Sequence, residues 1–219
     1  MILINYKIYS ATFGDKAIEL AKIIKEISDK SKIRIVITAS ALDAFRIQRE
    51  SGAEVWLQNI DEFNEGKHTG WISAQQAFEL GIKGALINHS EHKISKGKIA
   101  KIIKHKPKNF EIMCCVSSVN QIKKWTNKLK PDWILYEPPE LIASKDKSVA
   151  TENPEMIKAA VTALSKSKLL VGAGVKSRED VKTSLKMGAQ GVGLSSAFVL
   201  SDNPRELLRE IASGFDVII

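Results

Sequence analysis

The sequence predicts a (β/α)8 barrel in a single domain, and three observations lead to this fold class. Eight short apolar runs of strand length are spread over the 219 residues. Most of the gaps between them carry apolar residues at helical spacing. The runs are almost continuously apolar, as in strands that are buried on both faces of a parallel sheet. Strict alternation of such strands with helices implies a parallel sheet with right-handed crossovers.

The eight predicted strands follow directly from the apolar runs. In chain order they comprise residues 2–4, 33–37, 55–57, 85–87, 112–116, 133–136, 169–171 and 191–194. Pro138 and Pro139 end the sixth strand directly after Glu137, because proline cannot donate a hydrogen bond to a sheet. We therefore expect Glu137 at the carboxyl end of a buried strand.

The gaps between the strands carry the apolar stripes and end signals of helices. The clearest stripes are Ala17, Leu20, Ala21, Ile24 and Ile27; Ile99, Ile102 and Ile103; Ile157, Ala160, Val161 and Leu164; and Leu207, Leu208 and Ile211. The third gap is the weakest, a polar loop over residues 59–70 before a short stripe at Ala74, Ala77 and Phe78. Asn153-Pro154 and Asn203-Pro204 are typical of an N-cap followed by proline in the first helical turn. Left-handed C-caps are predicted at Gly52, Gly81, Gly188 and Gly214.

Two architectures accommodate this pattern, an open doubly wound sheet and a closed barrel. Eight units favour the barrel, although 219 residues is short for it. A dinucleotide-binding sheet would place a glycine-rich turn after its first strand. The chain has Asn5-Tyr6-Lys7 there and no glycine before Gly14. We therefore expect residues 1–219 to form one barrel domain.

The composition bounds the possible functions. The formal net charge of +8 could suit nucleic acid or a small anionic substrate. However, the solvated face of one predicted helix carries four of the lysines, Lys98, Lys101, Lys104 and Lys108. No aromatic residues alternate with them, which weakens the interpretation that the protein binds nucleic acid. Cys114 and Cys115 are adjacent and are most simply buried core residues. No apolar stretch approaches the length of a membrane span, so we expect a cytoplasmic protein without membrane contact.

Polar residues cluster at the predicted carboxyl ends of the strands, where a barrel gathers them around one opening. Lys7 supplies a cation, His89 an imidazole and Glu137 a carboxylate whose pKa should rise on loss of water. Small-residue loops follow the seventh and eighth strands, at Gly172-Ala173-Gly174 and Ser195-Ser196, and such loops let backbone N–H groups approach an anion. Each of these features also has a purely structural alternative. Lys7 could be a surface lysine, His89 a histidine bonded to the backbone and Glu137 part of a strand-end salt bridge, and the glycines could be ordinary turn residues.

At this point the chain resembles the triosephosphate isomerases, and most closely the short archaeal type. The matching segments span the chain: Asn5-Tyr6-Lys7, His68-Thr69-Gly70, residues 86–92 (Leu-Ile-Asn-His-Ser-Glu-His), residues 136–142 (Tyr-Glu-Pro-Pro-Glu-Leu-Ile) and residues 172–175 (Gly-Ala-Gly-Val). The resemblance implies a TIM barrel that interconverts dihydroxyacetone phosphate and D-glyceraldehyde 3-phosphate, a step of glycolysis and gluconeogenesis, with no cofactor and no metal.

The resemblance also implies residue roles. Glu137 would be the base, His89 the neutral electrophile that polarises the carbonyl group, and Lys7 the cation that binds phosphate and stabilises the enediolate, assisted by Asn5. Glu91 would pair with Lys7, and Ser90 would meet the base in the open state. Ser90 and Glu91 are expected to open a helix after His89, which would disfavour the imidazolium ion. The residues that bind the substrate would be Asn5 and Lys7, together with Ile142, Ala143, Gly172, Gly174, Ser195 and Ser196.

One segment departs from the family pattern. The family usually has Gly-Thr-Gly after residue 142, at the tip of a lid over the phosphate, whereas this chain continues Ala143-Ser144-Lys145. A poor lid would lower turnover and permit phosphate elimination. An alternative is therefore a lid-impaired homologue that binds sugar phosphates without efficient catalysis. Another phosphate-binding barrel enzyme, such as an epimerase or an indole-glycerol-phosphate-type synthase, is less consistent with the three strand-end groups, and nucleic-acid binding ranks last.

The polar loop over residues 59–71 resembles the family loop that reaches into the active site of a neighbouring subunit. The resemblance therefore implies a homodimer at least, and short archaeal relatives are often homotetramers. The sequence does not decide between the two.

Overall fold

The structure is a computed structural model that describes residues 1–126, 128–139, 148–172 and 174–215. Eight parallel strands close into a barrel in sequence order, with β1 pairing to both β2 and β8. The strands are β1 (Ile2–Asn5), β2 (Ile35–Ala39), β3 (Glu54–Leu57), β4 (Gly84–Ile87), β5 (Glu111–Val116), β6 (Trp133–Tyr136), β7 (Lys168–Val171) and β8 (Gly191–Leu194). The predicted single-domain (β/α)8 barrel is confirmed.

Helices surround the barrel on its outer side. The described part of the chain contains α1 (Gly14–Ser31), α2 (Ala44–Ser51), α3 (Ala74–Glu79), α4 (Lys96–His105), α5 (Val119–Thr126), α6 (Val149–Glu152), α7 (Pro154–Thr162), α8 (Arg178–Lys186), α9 (Ser196–Val199) and α10 (Pro204–Ser213). Among the described residues, no helix has the length and apolar character needed to cross a membrane.

The strand residues divide between two apolar layers, because successive side chains point to opposite faces of a sheet. The larger layer lies between the strands and the helices. The smaller fills the barrel interior and comprises Leu3, Val36, Trp56, Leu86, Met113, Cys115, Trp133, Leu135 and Leu170. Gly84 makes room for the Trp56 ring, since a Cβ atom there would lie 2.5 Å from the ring carbons. The interior is therefore packed, and a ligand site must lie at one end of the barrel.

The amino-terminal end of the barrel is closed by a network of charged and aromatic side chains. Arg34 donates to both Glu54 and Glu111, at Nη2–Oε1 distances of 2.6 and 2.5 Å. The indole N–H groups of Trp56 and Trp133 donate to the same two carboxylates. This network joins β3, β5 and β6 with Arg34, which directly precedes β2. It leaves the carboxyl-terminal end as the open face.

Beyond strand limits that differ by one residue, two details of the elements differ from the sequence prediction. Strand β2 begins and ends two residues later than predicted, because Lys32 caps α1 in a left-handed conformation and Thr38 continues the pairing opposite Asn5. Gly214 is right-handed, at φ −69°, unlike the other three predicted C-caps. Glycine is still needed there, since a Cβ atom would lie 2.6 Å from the Cβ atom of Val181.

The predicted solvated stripe of lysines is also only partly correct. Lys98 is not a free surface lysine: its ammonium group lies 2.7 Å from Asp61 Oδ1 and 5.3 Å from the Trp71 ring centroid. Lys108 lies beyond the end of α4. The Lys98 contacts hold the loop before α3 against α4, a tertiary interaction that helical spacing does not reveal.

Candidate active site

A small pocket of about 70 Å³ opens at the carboxyl end of the barrel strands. It is lined by residues from the ends of β1, β4, β6, β7 and β8. The polar and small residues among them are Asn5, Lys7, His89, Glu137, Gly172, Gly174, Lys176, Gly193, Ser195, Ser196 and Ala197. The barrel closure therefore brings together groups that lie up to 192 positions apart in the sequence.

Glu137 directly follows β6, and its side chain is buried. Its backbone N–H donates to the carbonyl of Val116 at 2.9 Å, so the sheet pairing extends to the residue that carries the carboxylate. Burial raises the pKa of Glu137 to about 7, while the neighbouring Cys115 thiol and the charge of Lys7 pull it down. Within the described residues, its buried Oε2 atom has no hydrogen-bond partner. The carboxyl group can therefore take up or release a proton near neutral pH.

His89 faces this carboxylate from the end of β4. Its Nε2 atom lies 3.7 Å from Glu137 Oε2, which is too long for a hydrogen bond. On the other side of the ring, Nδ1 accepts the backbone N–H of Glu91 at 3.2 Å. A neutral ring that accepts at Nδ1 carries its proton on Nε2, so the N–H group points towards the pocket. Burial lowers the pKa of His89 below its ordinary value, which keeps the ring neutral at pH 7.

The expectation that a helix opens directly after His89 is wrong. Residues 90–92 form a turn, and α4 begins only at Lys96. The neutral histidine therefore owes its lowered pKa first to burial and then to the charge of Lys7, with Glu91 opposing the shift. The backbone of the turn still supplies the N–H that fixes the tautomer.

Asn88 holds this turn in place. Its backbone is left-handed at φ 59°, a conformation that asparagine adopts more readily than most residues. The side-chain amide donates to the Cys115 carbonyl at 2.9 Å, and its oxygen accepts the N–H of Ile94 at 3.1 Å. Asn88 thereby ties the end of β4 to the end of β5 and sets the direction in which His89 leaves the strand.

Among the described residues, Lys7 is one of the two lysines that line the pocket. Its ammonium group forms an ion pair with Glu91 at 2.5 Å, and its side chain is only 18% exposed. Its backbone is left-handed at φ 49°, which is strained for a residue with a Cβ atom. The N–H of Lys7 donates to Asn5 Oδ1 at 3.0 Å, and the Lys7 carbonyl accepts from Gln58 Nε2 at 2.9 Å. Two amide side chains therefore stabilise the strained residue.

Small residues form the opposite wall. Gly172 packs directly against the carboxylate side chain, since a Cβ atom there would lie 2.8 Å from both Glu137 Cγ and Leu135 Cδ1. Gly174 has a positive φ of 75°. Ser195 Oγ is buried without a hydrogen-bond partner in the described structure, so it can donate to a ligand. This wall can accept an anion through backbone N–H groups and hydroxyls.

Most of the residues proposed from the sequence line this one pocket. Asn5, Lys7, His89, Glu137, Gly172, Gly174, Ser195 and Ser196 all do so. Glu91 contacts the pocket through Lys7. Ser90 lines a neighbouring pocket on the other side of Glu137, together with Cys115, Ser117 and Pro139. Ile142 and Ala143 lie outside the described residues.

The structure adds residues that the sequence analysis did not select. Gln58 binds the backbone of Lys7, Cys115 contacts Glu137, and Lys176 lines the pocket beside Gly174. The position of Gln58 at the end of β3 was a signal that could have been used, because the strand-end argument applies equally to it. Among the described residues, no group of three or more His, Cys, Asp or Glu side chains is placed to hold a metal ion.

A family model and the curated relatives of this chain point to the same family. A family model described as triosephosphate isomerase matches residues 1–212. A protein of Methanocaldococcus jannaschii named triosephosphate isomerase is 38% identical over 216 residues, which is 96% of this chain and 98% of the relative. Proteins of the same name from Saccharolobus solfataricus and Methanobrevibacter smithii are each 35% identical over 218 residues, covering 98% and 97% of this chain and 95% and 97% of their own lengths.

Proposed function

The chain belongs to the triosephosphate isomerase family, isomerases that interconvert the two triose phosphates, and we propose that Glu137, His89 and Lys7 carry out this reaction in the pocket described above. Glu137 is the proposed base, His89 the electrophile and Lys7 the stabilising cation. The observation that carries this assignment is a buried carboxylate whose pKa is raised to about 7, facing a neutral histidine across a 3.7 Å gap.

The proposed proton transfer uses the two groups on either side of that gap, the carboxylate of Glu137 and the imidazole of His89. Glu137 removes a proton from the substrate carbon next to the carbonyl group, and the electron pair moves onto the carbonyl oxygen to give an enediolate. His89 donates its Nε2–H to that oxygen, where negative charge develops. Glu137 then returns the proton to the neighbouring carbon. His89 Nε2 takes the proton of the adjacent hydroxyl group, so that oxygen becomes the new carbonyl and the neutral ring is restored. No atom is gained or lost, as an isomerisation requires.

Lys7 is proposed to act through its charge. The ammonium group lines the same pocket as the base and the imidazole, so it stabilises an enediolate and attracts the phosphate. Its ion pair with Glu91 holds the ammonium group in position. Asn5, Gly172, Gly174, Ser195 and Ser196 are the proposed substrate-binding residues around it, with Ile142 and Ala143 proposed from the sequence alone.

A coupled isomerase assay with both triose phosphates tests this proposal. Glu137→Gln keeps the size of the side chain and removes the base, so we expect kcat to fall at least about 10³-fold. Glu155→Gln, an exposed glutamate on α7, is the matched control and should keep wild-type turnover. Normal turnover in Glu137→Gln would contradict the assignment.

The alternative, a homologue that only binds sugar phosphates, is not favoured. A protein that merely binds a phosphate has no use for a buried carboxylate with a raised pKa, which costs folding free energy. The same assay should also measure methylglyoxal, the product of phosphate elimination from the enediolate. A high ratio of methylglyoxal to isomerised product would indicate inadequate shielding of the intermediate from water.

We further propose that the enzyme is a cytoplasmic homodimer or homotetramer. Ile8, Leu42 and Trp71, on loops at the open end of the barrel, are 81%, 95% and 48% exposed, which is unusual for large apolar side chains. Light scattering after gel filtration should report a dimer or larger, and Leu42→Lys should shift the mass towards the monomer. A monomeric wild-type protein at micromolar concentration would overturn this part, and cell fractionation tests the compartment.

A further inference from the structure

A buried carboxylate lies behind the wall of the pocket and takes no part in the chemistry proposed above. Asp180, in the first turn of α8, is 5% exposed. Its Oδ2 atom accepts the backbone N–H groups of Lys176 at 3.0 Å and Ser177 at 3.1 Å, and also the Ser177 hydroxyl at 2.9 Å. Its Oδ1 atom accepts the hydroxyl of Ser148 at 2.5 Å.

Helix capping accounts for only some of these contacts. Ser177 and Asp180 form a capping box that satisfies the first turn of α8. The contact with Ser148 joins residues 32 positions apart, and Ser148 is itself only 3% exposed. A carboxylate that served the cap alone could remain at the surface, where its desolvation would cost much less. Because both partners are buried, we interpret their hydrogen bond as a contact that holds the two segments together.

The two linked segments both lead to the active site. On one side, Val175 and Lys176 line the pocket next to Gly174. On the other, Ser148 directly precedes α6 and lies 11 positions after the base Glu137 in the sequence. We infer that Asp180 is a positioning residue for phosphate binding, which fixes the loop after β7 against the chain that enters α6.

The physical basis is preorganisation of the phosphate-binding wall. A loop whose backbone N–H groups are already held by Asp180 loses little conformational freedom when the phosphate binds. Without that restraint, residues 174–176 must be ordered by the ligand itself, and the cost appears as weaker binding of anything that carries a phosphate. Because ground state and transition state keep the same phosphate, KM should rise while kcat changes little.

Two variants break the link and two controls spare it. Ser148→Ala removes the donor to Oδ1, and Asp180→Asn keeps the shape but leaves one of the two oxygen positions unable to accept. Thr151→Ala removes a hydroxyl that contacts Ser148 at the start of α6, and Ser177→Ala removes the hydroxyl of the α8 cap. Both controls leave the Ser148–Asp180 bond and the Lys176 N–H bond in place. They separate a loss of helix capping from a loss of positioning.

The experiment measures KM and kcat for glyceraldehyde 3-phosphate, the Kd of 2-phosphoglycolate by calorimetry, and turnover of glyceraldehyde, which lacks the phosphate. In Ser148→Ala and Asp180→Asn we expect KM and Kd to rise about tenfold, with kcat within about threefold and glyceraldehyde turnover unchanged. The two effects should be less than additive in the double variant, because both variants act on the same hydrogen-bonded pair. Ser177→Ala and Thr151→Ala should lower only the melting temperature.

Unchanged KM and Kd in Ser148→Ala would overturn the inference, and so would equal losses in the two controls. If Asp180→Asn does not fold, Ser148→Ala and the controls still decide. The inference rests on the proposed function, yet the two can fail separately. Absence of isomerase activity in the wild type would contradict the proposed function, whereas calorimetry with 2-phosphoglycolate tests the role of Asp180 without turnover.

Discussion

Gly172→Ala perturbs the base without altering any ionisable group. Gly172 follows β7, and its backbone N–H donates to the carbonyl of Tyr136 at 2.9 Å. Its φ is not positive, so alanine can adopt the same backbone. The added Cβ atom would lie 2.8 Å from Glu137 Cγ and 2.8 Å from Leu135 Cδ1. Both side chains, or the backbone of residue 172 together with one of them, must therefore move.

The expected displacement follows from these distances. Ordinary carbon contacts begin near 3.4 Å, so each neighbour is too close by about 0.6 Å. Leu135 is 2% exposed within the packed barrel interior and has little room to move, so residue 172 is pushed away from it towards Glu137, which takes most of the shift. Misplacement of a catalytic group by about 1 Å costs about 10²-fold in rate. We therefore expect kcat to fall about 10- to 100-fold, with about 1–3 kcal/mol lost from the free energy of unfolding by overpacking.

The assay is steady-state isomerisation in both directions, together with urea unfolding. Gly97→Ala is the matched control: it lies on α4, where the nearest atom to a new Cβ is 3.9 Å away. That variant should keep wild-type kcat and gain up to about 1 kcal/mol of stability, because alanine favours a helix over glycine. A kcat within twofold of wild type in Gly172→Ala would refute the proposed contact between this glycine and the base.

Three further predictions concern ionisation and stability. The kcat/KM of the wild type should rise with pH and level off above about pH 7, because Glu137 must be ionised to accept a proton and burial raises its pKa to about 7. A kcat/KM that does not change between pH 5 and pH 8 would contradict this. Because the pKa of Glu137 is raised on folding, its charge opposes folding above pH 7, and the penalty fades as pH falls towards 4.5. Urea unfolding should therefore show that Glu137→Gln gains about 3 kcal/mol of unfolding free energy at pH 8 and less than about 1 kcal/mol at pH 5. An equal gain at both pH values would count against a raised pKa of Glu137. Arg34→Met should lower the free energy of unfolding by about 2 kcal/mol, because it leaves Glu54 and Glu111 without their shared cation. Its kcat should be unchanged, because this network lies at the end of the barrel opposite the active site. A loss of turnover while the protein is fully folded would contradict the independence of network and site.

The barrel itself was predictable because burial on both faces leaves a direct trace in the sequence. Each strand had to be apolar throughout, and each helix had to carry one apolar stripe. The limits of β2 were not predictable from apolarity, because buried Thr38 continues the strand through backbone pairing opposite Asn5. Gly214 shows the same limit: a C-cap and a close approach to Val181 both select glycine, and the sequence does not distinguish them.

The site was predictable to the extent that it depends on strand ends. Lys7, His89 and Glu137 could be placed around one opening, because parallel strands in a closed barrel end on the same face. The hydrogen bonds that position them could not be predicted. Gln58 reaches Lys7 across the intervening strand β2, and Asp180 reaches Ser148 across 32 positions, so neither contact has a signature in local spacing. The source of the lowered His89 pKa was wrongly assigned to a helix for the same reason, since burial is a property of the whole fold.

The most direct test of the central claim, that Glu137 is the carbon base, is incorporation of solvent deuterium into the substrate. Dihydroxyacetone phosphate is incubated in D2O with wild type and with Glu137→Gln at equal concentrations of folded protein, and deuterium on carbon is followed by NMR. The wild type should place deuterium at the carbon that becomes protonated, whereas Glu137→Gln should show no exchange above the enzyme-free rate. Exchange by Glu137→Gln at the wild-type rate would show that another group removes the proton.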